Sequence, residues 1–121
     1  MYKFYNANSL GNFVNDCTIR AISLAEGTSW DYTYDKMSNL AQSKGTMMDD
    51  REFIRDYLDS NYKRVPYLPH TVGEVAGEYP DKVLLITMDS HITCSMYGVI
   101  YDSFDCRRRI AEDAWVIEKR L

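Results

Sequence analysis

Apolar side chains in the first part of the chain recur every three or four residues, the spacing typical of helices with one buried face. The first such stretch predicts a helix over Cys17–Glu26, with Asn15 or Asp16 as its N-cap and Gly27 as its end. Three more helices are predicted, over residues 30–43, from 49 or 50 to 59, and from 71 to about 76.

After residue 80 the pattern changes to the short apolar runs typical of β-strands. Strands are predicted at Lys82–Met88, His91–Met96, Val99–Phe104 and Ala114–Lys119, with a short first strand at Tyr2–Tyr5. The second and third of the four form a predicted hairpin around Tyr97-Gly98. Because helices precede strands along the chain, we predict one α+β domain over residues 1–121, with an N-terminal helical layer packed on a C-terminal antiparallel sheet.

Composition and charge exclude several classes of protein. The 121 residues carry 14 Lys and Arg against 18 Asp and Glu, a net charge of −4 that does not favour binding to a nucleic-acid backbone. Wholly apolar runs are far shorter than the ~20 residues that cross a bilayer, and no charged leader precedes an apolar segment. The three cysteines fit neither a disulfide framework nor a CxxC metal pair. We therefore expect a cytoplasmic protein with no membrane or nucleic-acid partner.

Cys17 is the candidate nucleophile, because the first turn of a helix stabilises a thiolate through unpaired backbone N–H groups and the helix dipole. A nucleophilic thiol needs a histidine within hydrogen-bonding reach, and the sequence offers His70 and His91. His91 is favoured because it begins a strand, a rigid element, whereas His70 lies in a connector between Pro69 and Thr71.

The predicted hairpin indicates which residue orients His91. If the turn at Tyr97-Gly98 has two residues, His91 shares a face of the sheet with Asp102 and not with Asp105. A three-residue turn would reverse this parity, so the choice of Asp102 depends on the turn. Ser103 and Asp105 remain as alternatives.

These residues resemble the motifs of papain-like cysteine peptidases in their minimal form, particularly of small members encoded by bacteriophages. The similarity lies in the run Asn15–Ile22, in His91 at the start of a strand and in Gly98–Asp105 on the next strand, and it spans about Asn12 to Ile117. It implies a papain-like fold in which the early cysteine attacks a carbonyl and forms a thioester.

In the roles that the resemblance implies, Cys17 is the nucleophile, His91 is the general base and acid, and Asp102 takes the place of the family's Asn or Asp. The family usually supplies an oxyanion donor from a glutamine before the nucleophile, and this chain has none there. Asn12 or Asn15 is the candidate substitute.

The resulting hypothesis is a small intracellular cysteine hydrolase, peptidase-like or isopeptidase-like, that acts on a peptide or protein without a cofactor. The alternative is a non-catalytic binding protein on the same fold, for example a phage protein that binds a host target. A metal site formed by His91, Cys94 and Cys106 is disfavoured, since its ligands would come from both faces of the sheet. We expect Cys94 to be core and Cys106 to be structural or exposed.

Overall fold

The computed structural model describes residues 1–66 and 71–118. The elements in chain order are β1 (Tyr2–Phe4), α1 (Cys17–Glu26), α2 (Trp30–Ser43), α3 (Arg51–Asn61), β2 (Lys63–Arg64), α4 (Val72–Glu78), β3 (Val83–Met88), β4 (His91–Met96), β5 (Val99–Asp102) and β6 (Asp113–Val116). The predicted α+β class is confirmed. His70 lies outside the described residues.

Local capping chemistry explains where the helices begin and end. The side chains of Ser29 and Asp50 accept hydrogen bonds from backbone N–H groups in the first turns of α2 and α3, and Thr71 forms a capping box with Glu74 at the start of α4. Gly27 ends α1 with a φ of 74°, a left-handed conformation that suits glycine. The predicted bounds of α1 and α2 are confirmed, whereas α3 runs two residues past its predicted end.

The six strands form one mixed sheet in the order β1-β5-β4-β3-β6-β2. The prediction of a wholly antiparallel sheet is wrong, because β1 pairs with β5 in parallel. A parallel pair requires a long crossover between its strands, and here α1 to α4 and the strands β2, β3 and β4 lie between β1 and β5 in the chain. The last strand also ends earlier than predicted, at Val116, and the predicted end Lys119 lies outside the described residues.

The hairpin formed by β4 and β5 has the two-residue turn that the sequence predicts. Met96 pairs with Val99 and Cys94 pairs with Tyr101, which leaves Tyr97 and Gly98 as the turn. Both turn residues have positive φ, 54° and 83°, as in the turns that match the twist of a hairpin.

Apolar side chains are buried on both faces of the sheet. One cluster joins α1, α2 and α3 to side chains of β3 and β4, among them Leu85 and Ile92. The other joins α4 to alternate side chains of β3, among them Leu84 and Ile86. The continuous apolar run of β3 is therefore explained by burial on both sides.

Within residues 1–66 and 71–118, none of the helices has both the length and the apolar character that crossing a membrane requires.

Candidate active site

Cys17 is the first residue of α1, and its thiol lies in a cleft of about 310 Å³. The cleft is also lined by His91 and Ile92, at the beginning of β4, and by Arg51 and Arg55 of α3. Interactions with the His91 side chain and with the backbone of Ile92 lower the pKa of the Cys17 thiol. The packing of α1 against β4 thus brings the predicted nucleophile and the predicted base together.

His91 is held between Cys17 and Asp102. It follows the turn Asp89-Ser90, in which Ser90 has a φ of 57°, and therefore stands at the very start of β4. Its Nε2 lies 2.7 Å from Oδ2 of Asp102. Nδ1 is therefore the ring nitrogen that remains available to interact with the Cys17 thiol. The ring of Phe104 packs on the imidazole with 4.7 Å between centroids.

Asp102 is a buried carboxylate that accepts hydrogen bonds at both oxygens. Thr93 donates to Oδ2 at 2.6 Å, beside the bond from His91. Oδ1 accepts from the backbone N–H of Ser103 at 2.7 Å and from Nη1 of Arg20 at 2.9 Å. Burial raises the pKa of Asp102, but the hydrogen bonds from His91 and Thr93 outweigh it and hold the pKa at about 2. The carboxylate is ionised at neutral pH.

The charges of the site favour a thiolate beside an imidazolium. Burial lowers the pKa of His91, but the hydrogen bonds to Asp102, Cys106 and Cys17 outweigh it and raise the pKa to about 11. Burial raises the pKa of Cys17, but hydrogen bonds from His91 and Ile92 and the nearby positive charges bring it below the usual value for a thiol. The arrangement can therefore supply a nucleophilic sulfur and a proton donor together.

The other predicted site residues lie in different places. Asn15 lines the cleft beside Cys17, whereas Asn12 lines a neighbouring apolar groove and does not reach the cleft wall. Asp105, an alternative to Asp102, is exposed and paired with Arg107 at 2.8 Å. As the hairpin register predicts, it is Asp102 that contacts His91.

Cys106 is a member of the site that sequence reasoning missed. Its thiol is buried and donates to Oδ2 of Asp102 at 3.7 Å, and it is among the groups that raise the pKa of His91. Of the two alternatives expected for Cys106, structural or exposed, exposure is wrong, because the side chain is only 1% exposed and lies next to Asp102. No spacing signal indicates this, since the position depends on the irregular segment after β5. Cys94 is buried in the core, as predicted.

Arg20 was also missed, although the sequence carries a signal for it. It lies three residues after Cys17 and four after Asp16, and these spacings place side chains on one face of a helix. Its Nε donates to Oδ1 of Asp16 at 2.7 Å.

Ligand atoms of His91, Asp102 and Cys106 lie within 4.8 Å of one another, and among the described residues this is the group that could hold a metal ion. Cys94 is not part of it. Each oxygen of Asp102 already accepts at least two hydrogen bonds from protein groups. The hydrogen bonds of His91 and Cys106 to Asp102 explain why these three side chains lie close together.

Comparison of the chain with models of known protein families, with curated proteins and with solved structures gave no match.

Proposed function

We propose that the protein is a small papain-like cysteine hydrolase that cleaves a peptide or isopeptide bond through a thioester intermediate. One observation carries the proposal: Cys17 and His91 line the same cleft, and His91, which lowers the pKa of the Cys17 thiol, is held by Asp102 at 2.7 Å. A thiol, a base and a residue that orients the base are the parts required for nucleophilic catalysis by cysteine.

The proposed reaction has two steps. The Cys17 thiolate attacks the carbonyl carbon, the new C–S bond forms, and the C–N bond breaks as protonated His91 gives its proton to the leaving amine. In the second step neutral His91 takes a proton from water, the hydroxide attacks the thioester, and the C–S bond breaks to release the acid. Asp102 stays ionised and holds the imidazole through both steps.

The start of α1 offers donors for the oxyanion. The N-cap residue Asp16 does not cap the helix with its side chain, because its carboxylate accepts from Arg20, Trp30 and Asn8 instead. The N–H groups of the first turn therefore have no side-chain cap, and they lie beside the sulfur. The amide of Asn15 is the side-chain candidate, since it lines the same cleft.

The cleft suits an extended polypeptide. Its wall carries charges of both signs, with Arg51 paired to Glu112 at 2.6 Å and with Asp49 and Arg55 close by. Such a surface can bind the polar backbone of a protein tail. We therefore propose a protein segment as the substrate.

Selective alkylation tests the proposed nucleophile. At about pH 6 we expect iodoacetamide to modify Cys17 faster than a model thiol, because only the thiolate reacts and a lowered pKa keeps more of it present. Peptide mass spectrometry would read out Cys94 and Cys106 as buried controls in the same sample, and Cys17→Ser would confirm the assignment. Equal labelling of all three cysteines, or a rate no higher than that of the model thiol, would contradict the proposal.

A non-catalytic binding protein is the second candidate. It is favoured by exposed apolar side chains in the groove next to the cleft, with Leu10 81% and Met47 71% exposed. If this surface binds a host protein, Cys17→Ser should bind it as tightly as the wild type, whereas Leu10→Asp should weaken the complex. Thioester formation at Cys17 with a peptide ester would instead favour the hydrolase.

A further inference from the structure

Arg20 connects the helix that carries Cys17 to the end of the strand that carries Asp102. Its Nε donates to Asp16 at 2.7 Å, and its Nη1 donates to Oδ1 of Asp102 at 2.9 Å and to Oγ of Ser103 at 3.0 Å. The Arg20 side chain is only 12% exposed. One buried cation thus lies between two buried carboxylates.

The bond from Arg20 bears on the direction in which Asp102 faces His91. Arg20 donates to Oδ1, while Nε2 of His91 donates to Oδ2. A carboxylate bonded at both oxygens cannot turn freely about its Cβ–Cγ bond, so the bond from Arg20, together with the bond from the backbone N–H of Ser103, helps to fix where Oδ2 points.

We infer that Arg20 is a positioning residue, which keeps Asp102 aligned with His91 and thereby keeps the imidazole beside Cys17. Its part in catalysis rests on the proposed function, but the alignment of His91 and Asp102 is measurable without any substrate. Lysine would keep the charge and lose the planar fork that reaches both carboxylates at once. Arg20→Lys therefore separates positioning from charge.

The test is the pKa of His91, measured by NMR titration of its ring resonances in the wild type and in Arg20→Lys. We expect it to fall by at least about half a unit, because a less well aligned Asp102 stabilises the imidazolium less. The rate of Cys17 alkylation near pH 6 should fall about threefold or more, since His91 stays protonated at this pH but a displaced imidazolium stabilises the thiolate less.

Arg64→Lys is the matched control. Arg64 also bonds two carboxylates, Asp59 at 2.6 Å and Asp113 at 3.3 Å, but it lies on the edge strand β2. Both substitutions are expected to lower the melting temperature, whereas only Arg20→Lys should change the pKa of His91. A merely structural role for Arg20 would lower the melting temperature and leave the pKa of His91 unchanged.

Ser103→Ala serves as a milder variant should Arg20→Lys fail to fold. It removes one partner of Nη1, and we expect a smaller fall in the pKa of His91. An unchanged pKa of His91 in whichever of these variants folds overturns the inference. If that pKa falls while wild-type Cys17 reacts no faster than a model thiol, the positioning role stands and the proposed hydrolase function fails.

Discussion

At the scale of single residues, the chemistry of Cys17 depends strongly on its neighbour His91. Burial alone would raise the pKa of this thiol, and the hydrogen bond from His91 is the largest influence that lowers it. His91 can act in this way because Asp102 keeps it protonated through its usual titration range. The three side chains are therefore coupled, and a change at one should appear in the titration of another.

Titration of the thiolate absorbance tests this coupling. In the wild type, the difference from Cys17→Ser should show a midpoint below 9.0, the ordinary pKa of a cysteine thiol. In His91→Gln the midpoint should rise above that value, because burial still acts and the imidazolium is gone. The proposed activity should rise with pH as Cys17 loses its proton, and it should fall again at alkaline pH as His91 loses its proton. A midpoint that His91→Gln leaves unchanged would contradict the coupling.

At the scale of elements, the sequence predicts what local chemistry determines. The bounds of α1 and α2 follow from capping residues and from Gly27, and the pairing of β4 with β5 follows from a two-residue turn. The parallel pairing of β1 with β5 joins residues about a hundred positions apart, and no local pattern indicates it. The contacts of Cys106 likewise depend on an irregular segment with no period.

Replacing Gly27 with alanine tests the local argument for the end of α1. Gly27 has a φ of 74°, which costs an alanine about 1 kcal/mol, so the free energy of unfolding should fall by about that amount. Gly77→Ala is the control, because Gly77 lies inside α4 with open space around its Cα and no positive φ. That substitution should leave stability unchanged or increase it by up to about 1 kcal/mol. Urea denaturation of both variants would measure the difference, and a loss of stability in Gly77→Ala alone would contradict the argument.

At the scale of the whole molecule, another buried carboxylate, besides Asp16 and Asp102, holds the three N-terminal helices together. Glu26, at the end of α1, accepts hydrogen bonds from Lys36 of α2 at 2.6 Å and from Tyr57 of α3 at 2.7 Å. Tyr62, just after α3, donates to the same carboxylate at 2.5 Å. From the sequence, Glu26 can be recognised only as the last residue of a predicted helix, and nothing indicates its bonding partners. Its partners come from positions up to 36 residues away, so the cluster exists only in the folded chain.

Glu26→Gln should therefore destabilise the protein without changing the site. The amide keeps the shape of the side chain but removes the charge that Lys36 and the two tyrosines bind, and the loss should be about 2 kcal/mol. This loss of stability is smaller than the loss expected on breaking a fully buried ion pair, because Lys36 is 27% exposed and can be solvated by water. Asp105→Asn is the control, since its pair with Arg107 lies at the surface, where an ion pair contributes little. Urea denaturation should show a lower midpoint for Glu26→Gln alone, while Cys17 alkylation near pH 6 stays at the wild-type rate in both variants. A midpoint unchanged in Glu26→Gln would mean that apolar packing alone holds the helices against the sheet.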